Sequence, residues 1–406
     1  MDQQEAQIRK KFSLKRILIP VLIGVFVAGW MLYNNLNEAT FAYQVGGEYV
    51  WIDANGNDIV DHHNPADFRL AQPGEEGTYQ LANNREILAN TTFNYQSVLW
   101  LFVALLMVVF RDIGYMYRLR VLSHGDLSWR SSFGSIMLWE FASAITPSVV
   151  GGSGVAIYIL NREGISVGRS TAIVMVTALL DELFYIIMVP LIILLIGTQE
   201  LFPIDLQKEI LGITFGTRGI FWAGYIFIML LTSIILIGIF IAPRSLKYWL
   251  LRIFNVRLLK KWRYKIIQIG NDIMNTSAIL KDEKPIFWIK AFLATFLSWT
   301  ARYWVVNFLL LAFTPVGNHL LVYGRQLVMW VIMLISPTPG SSGVAELAFS
   351  GFLEEFSPLG LTAVMALLWR IFTYYPYLFL GAIILPRWFS RTSSTKNLNL
   401  AHEQQV

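Results

Sequence analysis

The stretch "ISPTPGSSGVAELAF", residues 335–349, lies in one of the most apolar parts of the chain, yet it carries two prolines, two glycines, four hydroxyl residues and a glutamate. No ordinary membrane helix has that composition, because proline removes a backbone donor and glycine weakens a helix interior. A second copy, "ITPSVVGGSGVAIYIL" at residues 145–160, repeats the Ile-hydroxyl-Pro opening and the Ser-Gly-Val-Ala core with one more residue between them. The chain breaks its backbone twice in nearly the same words.

The surroundings decide the solvent in which these breaks must fold. With 55% hydrophobic and 15% charged residues and a mean hydropathy of +0.52, the 406-residue chain reads as an all-α polytopic membrane protein. Six stretches approach or exceed the length of about 20 apolar residues that crosses a bilayer, at residues 17–33, 98–117, 171–197, 220–242, 286–312 and 361–385. The first follows a long polar lead and is expected to be an uncleaved anchor. Cysteine is absent, which excludes disulfides, thiolate metal sites and cysteine nucleophiles. No cofactor and no metal site is expected. The net charge of +5 is topological rather than a nucleic-acid footprint, since basic residues concentrate in the loops of one membrane side.

Loop charges orient the spans. Residues 1–16 hold five Lys or Arg and are expected in the cytoplasm; the loop at 34–96 holds nine acids against Arg69 and Arg85 and is expected outside. Within it, "YVWIDANGNDIV" at 49–60 alternates around an Asn-Gly pair and predicts a small β-hairpin. Residues 243–284 carry ten bases against three acids, a basic amphipathic pattern suited to the inner leaflet surface. The tail at 387–406 is expected to be cytoplasmic.

With those assignments the topology closes only if both broken segments enter and leave by one side. Residues 132–160 are then a re-entrant hairpin from inside, and residues 321–353 one from outside. Membrane repeats at 17–197 and 220–386 follow, each ordered span, span, broken hairpin, span, and inverted relative to one another. In transporters, matching interrupted segments line a polar site near the bilayer midplane. Pro147, Gly151, Gly152, Gly154, Pro337, Pro339, Gly340 and Gly343 are the hairpin backbone positions, more architectural than ligand-contacting.

"PTPGSSGVAELAF", followed 27 residues after Gly343 by Arg370 in "ALLWRIFTYYPYLFLGAIIL", resembles the signature of the lysylphosphatidylglycerol synthase transmembrane-domain family, the flippase-like membrane half of bacterial multiple peptide resistance proteins. The resemblance spans about residues 97–386. It departs from the second motif in the first repeat, where Ile157 stands in place of Glu346 and Asp181-Glu182 in place of Arg370. No aminoacyl-transferring domain is expected in the short tail. The resemblance implies lipid translocation across a bacterial cytoplasmic membrane, with both termini inside, membrane lipids as partners, no nucleic acid, and room for a homo-oligomer or a separate lipid-modifying enzyme.

Arg370, Arg302 and Arg325 are candidates to meet a lipid phosphate. Glu346, Asp181, Glu182 and Glu140 are candidates for an amine or a coupling proton, with Ser341, Ser342 and Ser153 as hairpin donors. Each has a plainer alternative: Glu346 and Arg370 as a structural ion pair, and Arg111, Asp112, Arg302 and Arg325 as anchors near span ends. His62 and His63 read as surface residues. An ion-coupled transporter for a small solute fits the same architecture. A membrane-embedded transferase fits less well, because no catalytic spacing is present, and the chain is not expected to be an enzyme. Nucleotide-driven pumping is unsupported, because no P-loop sequence occurs.

Overall fold

Three of the long helices begin where a short polar side chain takes up a free backbone N–H. Asn94 Oδ1 accepts from Ser97 N–H, Ser128 Oγ from Ser131 N–H and Ser166 Oγ from Arg169 N–H. The computed structural model describes residues 26, 29–30, 32–54, 60, 62, 64–91, 93–146, 149–203, 208–210, 213–253, 255, 263–333 and 338–403. The expected first span, and Pro147 and Pro337, lie largely or wholly outside the described residues.

The N-terminal polar region forms strands β1 (Ala39–Gly47), β2 (Tyr49–Trp51), β3 (Phe68–Leu70) and β4 (Gly77–Asn83). They make one antiparallel sheet in the order β1-β4-β2-β3, with Tyr43 opposite Tyr79 and Val50 opposite Arg69. The hairpin turn expected around residues 55–56 falls outside the described residues; β2 pairs with β3 and β4. Phe41 of β1 stacks on Phe68 of β3 at 4.1 Å between centroids.

Helices follow as α1 (Asn84–Asn90), α2 (Tyr95–Leu122), α3 (Trp129–Ile145), α4 (Val149–Arg162) and α5 (Val167–Ile196). After the strand pair β5 (Lys208–Ile210) and β6 (Ile213–Phe215) come α6 (Thr217–Leu236), a π-helical turn at Ile237–Ile241, α7 (Pro243–Ile253), α8 (Arg263–Leu280) and α9 (Pro285–Leu311). The chain then forms α10 (His319–Met333), a 3-10 turn at Pro339–Ser341, α11 (Val344–Leu353), α12 (Thr362–Thr373) and α13 (Tyr375–Glu403).

Among the described residues, four helical stretches are long and apolar enough to cross a membrane: Tyr95–Leu122, Val167–Ile196, Thr217–Ile241 and Thr362–Thr392. They coincide with four of the expected spans. The fifth, α9, is 27 residues long but carries Lys290, Ser298, Thr300, Arg302 and Asn307, and falls outside that set. The expected continuous last span is interrupted at Tyr374, whose φ of −127° and ψ of −58° separate α12 from α13. Pro376 explains the break, since its ring opposes the carbonyl four residues back.

Both broken segments consist of helices too short to span alone, with 17 and 14 residues in α3 and α4 and 15 and 10 in α10 and α11. Helix contacts recur in pairs. α3 packs on α4 as α10 does on α11, α2 meets α3 as α9 meets α10, and α4 meets α5 as α11 meets α12. α3 also lies against α13 as α10 lies against α5, and α9 crosses α5 as α2 crosses α12.

α2 and α9 make the most extensive helix–helix contact of the described residues. Small residues allow it: a Cβ at Gly114 would run into Ser298 Oγ and Ala294 O, while one at Gly134 would meet nothing within 4 Å. Gly114→Val should therefore lower stability by about 1–3 kcal/mol through overpacking. Gly134→Ala, inside α3, should be neutral or stabilising by up to about 1 kcal/mol. Thermal unfolding of the two purified variants in detergent checks the contrast, and equal effects would contradict this packing.

Candidate functional site

The two interrupted segments meet at a cavity of about 340 Å³. Ser143, Thr146 and Ser153 line it from the first segment, and Thr338, Gly340 and Ser341 from the second. Helices α2, α5, α9 and α12 supply charged and aromatic walls, among them Arg118, Asp181, Glu182, Arg302 and Arg370.

The second segment turns through left-handed backbone at Gly340 (φ 56°), Ser341 (φ 53°) and Gly343 (φ 85°). Glycine is required at residue 340 for space as well, because a Cβ there would enter the Tyr374 ring. Arg370 holds the turn. Its Nη2 donates to Gly340 O at 2.9 Å and to Ser342 Oγ at 3.4 Å, and its guanidinium lies 3.8 Å from the Tyr374 ring centroid. Arg370 Nε is 3.0 Å from Glu346 Oε1 without an aligned N–H, a charge contact rather than a directed hydrogen bond. The other Glu346 oxygen accepts Gly343 N–H at 2.7 Å, which caps α11. Tyr374 O–H donates to Ala144 O at 3.1 Å, tying this turn to the first segment.

Two further arginines are neutralised from neighbouring helices. Arg118 Nη1 donates to Asp181 Oδ1 at 2.5 Å and to Thr295 Oγ1 at 3.0 Å, and Asp181 also accepts Trp299 Nε1–H at 2.8 Å. Arg111, 2% exposed, contacts Glu140 at 2.6 Å and Asp112 at 3.3 Å. Tyr377 O–H donates to both Asp112 oxygens, and Arg111 lies 4.9 Å from the Tyr115 ring and 4.7 Å from that of Tyr377.

Two charged groups of the cavity lack such partners. Among the described residues, Arg302 has no carboxylate within salt-bridge distance; it rests over the Trp299 ring, 5.1 Å from its centroid, and Glu140 and Asp112 act on it from farther off. Glu182 Oε2 is buried with no hydrogen-bond partner. No group of three or more His, Asp or Glu able to hold a metal occurs among the described residues.

The structure thus brings Ser153, Ser341, Gly340, Asp181, Glu182, Arg302 and Arg370 to one cavity. Glu346 and Ser342 sit behind it as partners of Arg370, Gly151, Gly152 and Gly154 lie in the first turns of α4, and Gly343 precedes α11. Arg111 and Asp112 are internal rather than interfacial anchors, because α2 runs on to Leu122 and turns them inward. Arg325, 4% exposed, neither snorkels nor faces the cavity: it binds Glu200 O, Phe352 O and, at 2.9 Å, Glu355, tying loops together. Arg118, Tyr115 and Tyr377 were not anticipated. The signal for the first two was the i, i+4, i+7 spacing of Arg111, Tyr115 and Arg118, which puts all three on one helix face.

Removing one member of a buried ion pair leaves the other unpaired at a cost of about 3–5 kcal/mol, and removing both is milder. Arg118→Met and Asp181→Asn should each destabilise strongly, and the double variant by less than their sum. Arg370→Met, Glu346→Gln and their double should behave alike. Thermal unfolding of both cycles measures this, and additive losses would show that the pairs carry no coupling.

The family model described as the lysylphosphatidylglycerol synthase TM region matches residues 78–381. A UPF0104 membrane protein from Archaeoglobus fulgidus is 28% identical over 311 residues, covering 74% of this chain and 89% of the relative. The matched region holds both interrupted segments and every wall of the cavity. The chain belongs to the lysylphosphatidylglycerol synthase transmembrane-region family of membrane proteins.

Proposed function

We propose that the chain translocates an anionic-headed amphiphile, a phospholipid or lipid-linked intermediate, across the cytoplasmic membrane, and catalyses no covalent reaction. The observation that carries this reading is Arg302, a cavity-lining guanidinium with no carboxylate within salt-bridge distance among the described residues, beside three neighbouring arginines that each have one. An unneutralised cation in a membrane interior is costly unless a ligand or water compensates it. The cavity volume falls in the range of small-ligand clefts and suits a head group while acyl chains stay in lipid. The recurring helix contacts support two inverted units with re-entrant hairpins α3–α4 and α10–α11. The family name and the bacterial proteins it resembles agree with a lipid substrate.

A small-solute transporter coupled to protons is the second reading, favoured by the partnerless Glu182 carboxylate. It predicts uptake of a water-soluble substrate rather than movement of lipid between leaflets.

Two measurements test the proposal. In proteoliposomes, a fluorescent phospholipid should become accessible to a membrane-impermeant quencher through the protein, and Arg302→Gln should slow this by at least about tenfold, the scale of one lost charged contact. An unchanged rate would refute the role of Arg302. The chain has no cysteine of its own, so single cysteines report topology cleanly. Arg130→Cys and Val167→Cys should be labelled from one side, and Gly317→Cys and Ser357→Cys from the other. Labelling of either pair from both sides would overturn the re-entrant arrangement.

A further inference from the structure

The repeated words of the sequence allow the two units to be set in register. Glu140 and Trp330 each stand seven residues before the matching prolines, Pro147 and Pro337. Arg111 and Arg302 lie 16 and 17 residues after the first residues of α2 and α9. In the first unit Glu140 neutralises Arg111 at 2.6 Å. In the second, Trp330 takes that place and stacks on Tyr185 with centroids 3.8 Å apart. Among the described residues Arg302 then has no carboxylate within salt-bridge distance, the corresponding position holding an indole, and Glu140 and Asp112 act on it only from farther off.

Glu182 is exposed to the same asymmetry. Asp181 matches Arg370 in register, and the next residue is Glu182 in one unit and Ile371 in the other. Arg118 is committed to Asp181 and Thr295, so nothing cationic turns to Glu182 among the described residues. Arg302 and Glu182 therefore line one cavity, and among the described residues neither has an oppositely charged side chain within salt-bridge distance.

We propose that the cavity selects a zwitterionic head group, a phosphodiester joined to a primary amine, with the anion at Arg302 and the ammonium at Glu182. A purely anionic head group would satisfy Arg302 and repel Glu182, and a cation would do the reverse. One ligand bearing both charges compensates both. Trp139, Trp299, Trp330 and Trp369 also line the cavity and give it an aromatic wall. The selection deepens the translocation reading by naming the class of head group, and it rests on that reading for the lipid source.

Native mass spectrometry of the full chain in detergent, titrated with single lipids, tests it. Phosphatidylethanolamine and phosphatidylglycerol share the phosphodiester and differ in the amine, so the wild type should favour the former by at least about tenfold. Glu182→Gln should bring that ratio to about one, Glu182→Asp should keep part of it, and Arg302→Gln should weaken both lipids. A wild-type ratio near one, or a ratio that Glu182→Gln leaves intact, overturns the proposal. Circular dichroism and thermal unfolding of each variant separate misfolding from lost contacts, and Glu182→Asp keeps the test open if the amide fails to fold. Displacement of the lipid by an equal concentration of soluble glycerophosphoethanolamine would support the zwitterion subsite and assign it to a free solute. Selective binding without movement between leaflets would refute translocation alone; movement without selectivity would refute the zwitterion alone.

Discussion

Arg370 is the contact on which the second break depends. Backbone that leaves a helix among buried groups must find donors and acceptors from protein or water, and here the guanidinium gives one N–H to the Gly340 carbonyl. The same group meets Glu346, whose other oxygen caps α11. Tyr374 covers the guanidinium and reaches Ala144 in the first segment. Tyr374 can do so because the chain kinks there, ahead of Pro376, instead of continuing as one helix. The turn, the helix break and the link between the two interrupted segments are thus one mechanical unit, and its glycine at residue 340 cannot carry a side chain without displacing the ring.

What the sequence disclosed follows from which signals are local. Composition marks a membrane chain, and the duplicated Pro-Gly-Ser words mark two breaks and the family, because those signals sit in contiguous residues. The pairing of Glu346 with Arg370 was among the readings because both belong to one motif. The Arg118–Asp181 and Arg111–Glu140 pairs were missed for a physical reason. Hydropathy along a span records distance from its ends, and by that measure Arg111 looked interfacial. Which face of α2 a residue occupies is set by helical angle, and Arg111, Tyr115 and Arg118 share one. Arg325 misled in the same way, since its partners Glu200, Phe352 and Glu355 are far away in the chain. In the N-terminal polar region the Asn-Gly pair signals a turn that lies outside the described residues, while the pairing of β2 with β3, where Phe68 meets Phe41, joins residues too far apart in the chain for a local signal.

The two halves use similar words for backbone and different ones for charge. Each supplies an interrupted segment, and each brings a carboxylate and an arginine together, yet the order is exchanged. On the helix after the hairpin, the first half carries the acid, Asp181, and the second the base, Arg370. The partner comes from α2 in one case and from the hairpin helix α11 in the other. Similar backbones carrying exchanged charges keep the packing alike while making the space between them electrically lopsided.

That lopsidedness bears on what such a cavity can hold. Two halves alike in charge would present the same group from both sides, and a ligand lying between them would need matching ends. Here Arg302 comes from α9 and Glu182 from α5, two different helices of the cavity lining. Coulomb attraction is strong in a low-dielectric interior and is lost when either charge is left to water or lipid. The neighbouring arginines cannot soften this contrast, because Arg118, Arg111 and Arg370 already face acids of their own. Under the proposed translocation, orientation of the head group would then be set by charge before any contact with its tails, and the two surplus groups would act only as a pair.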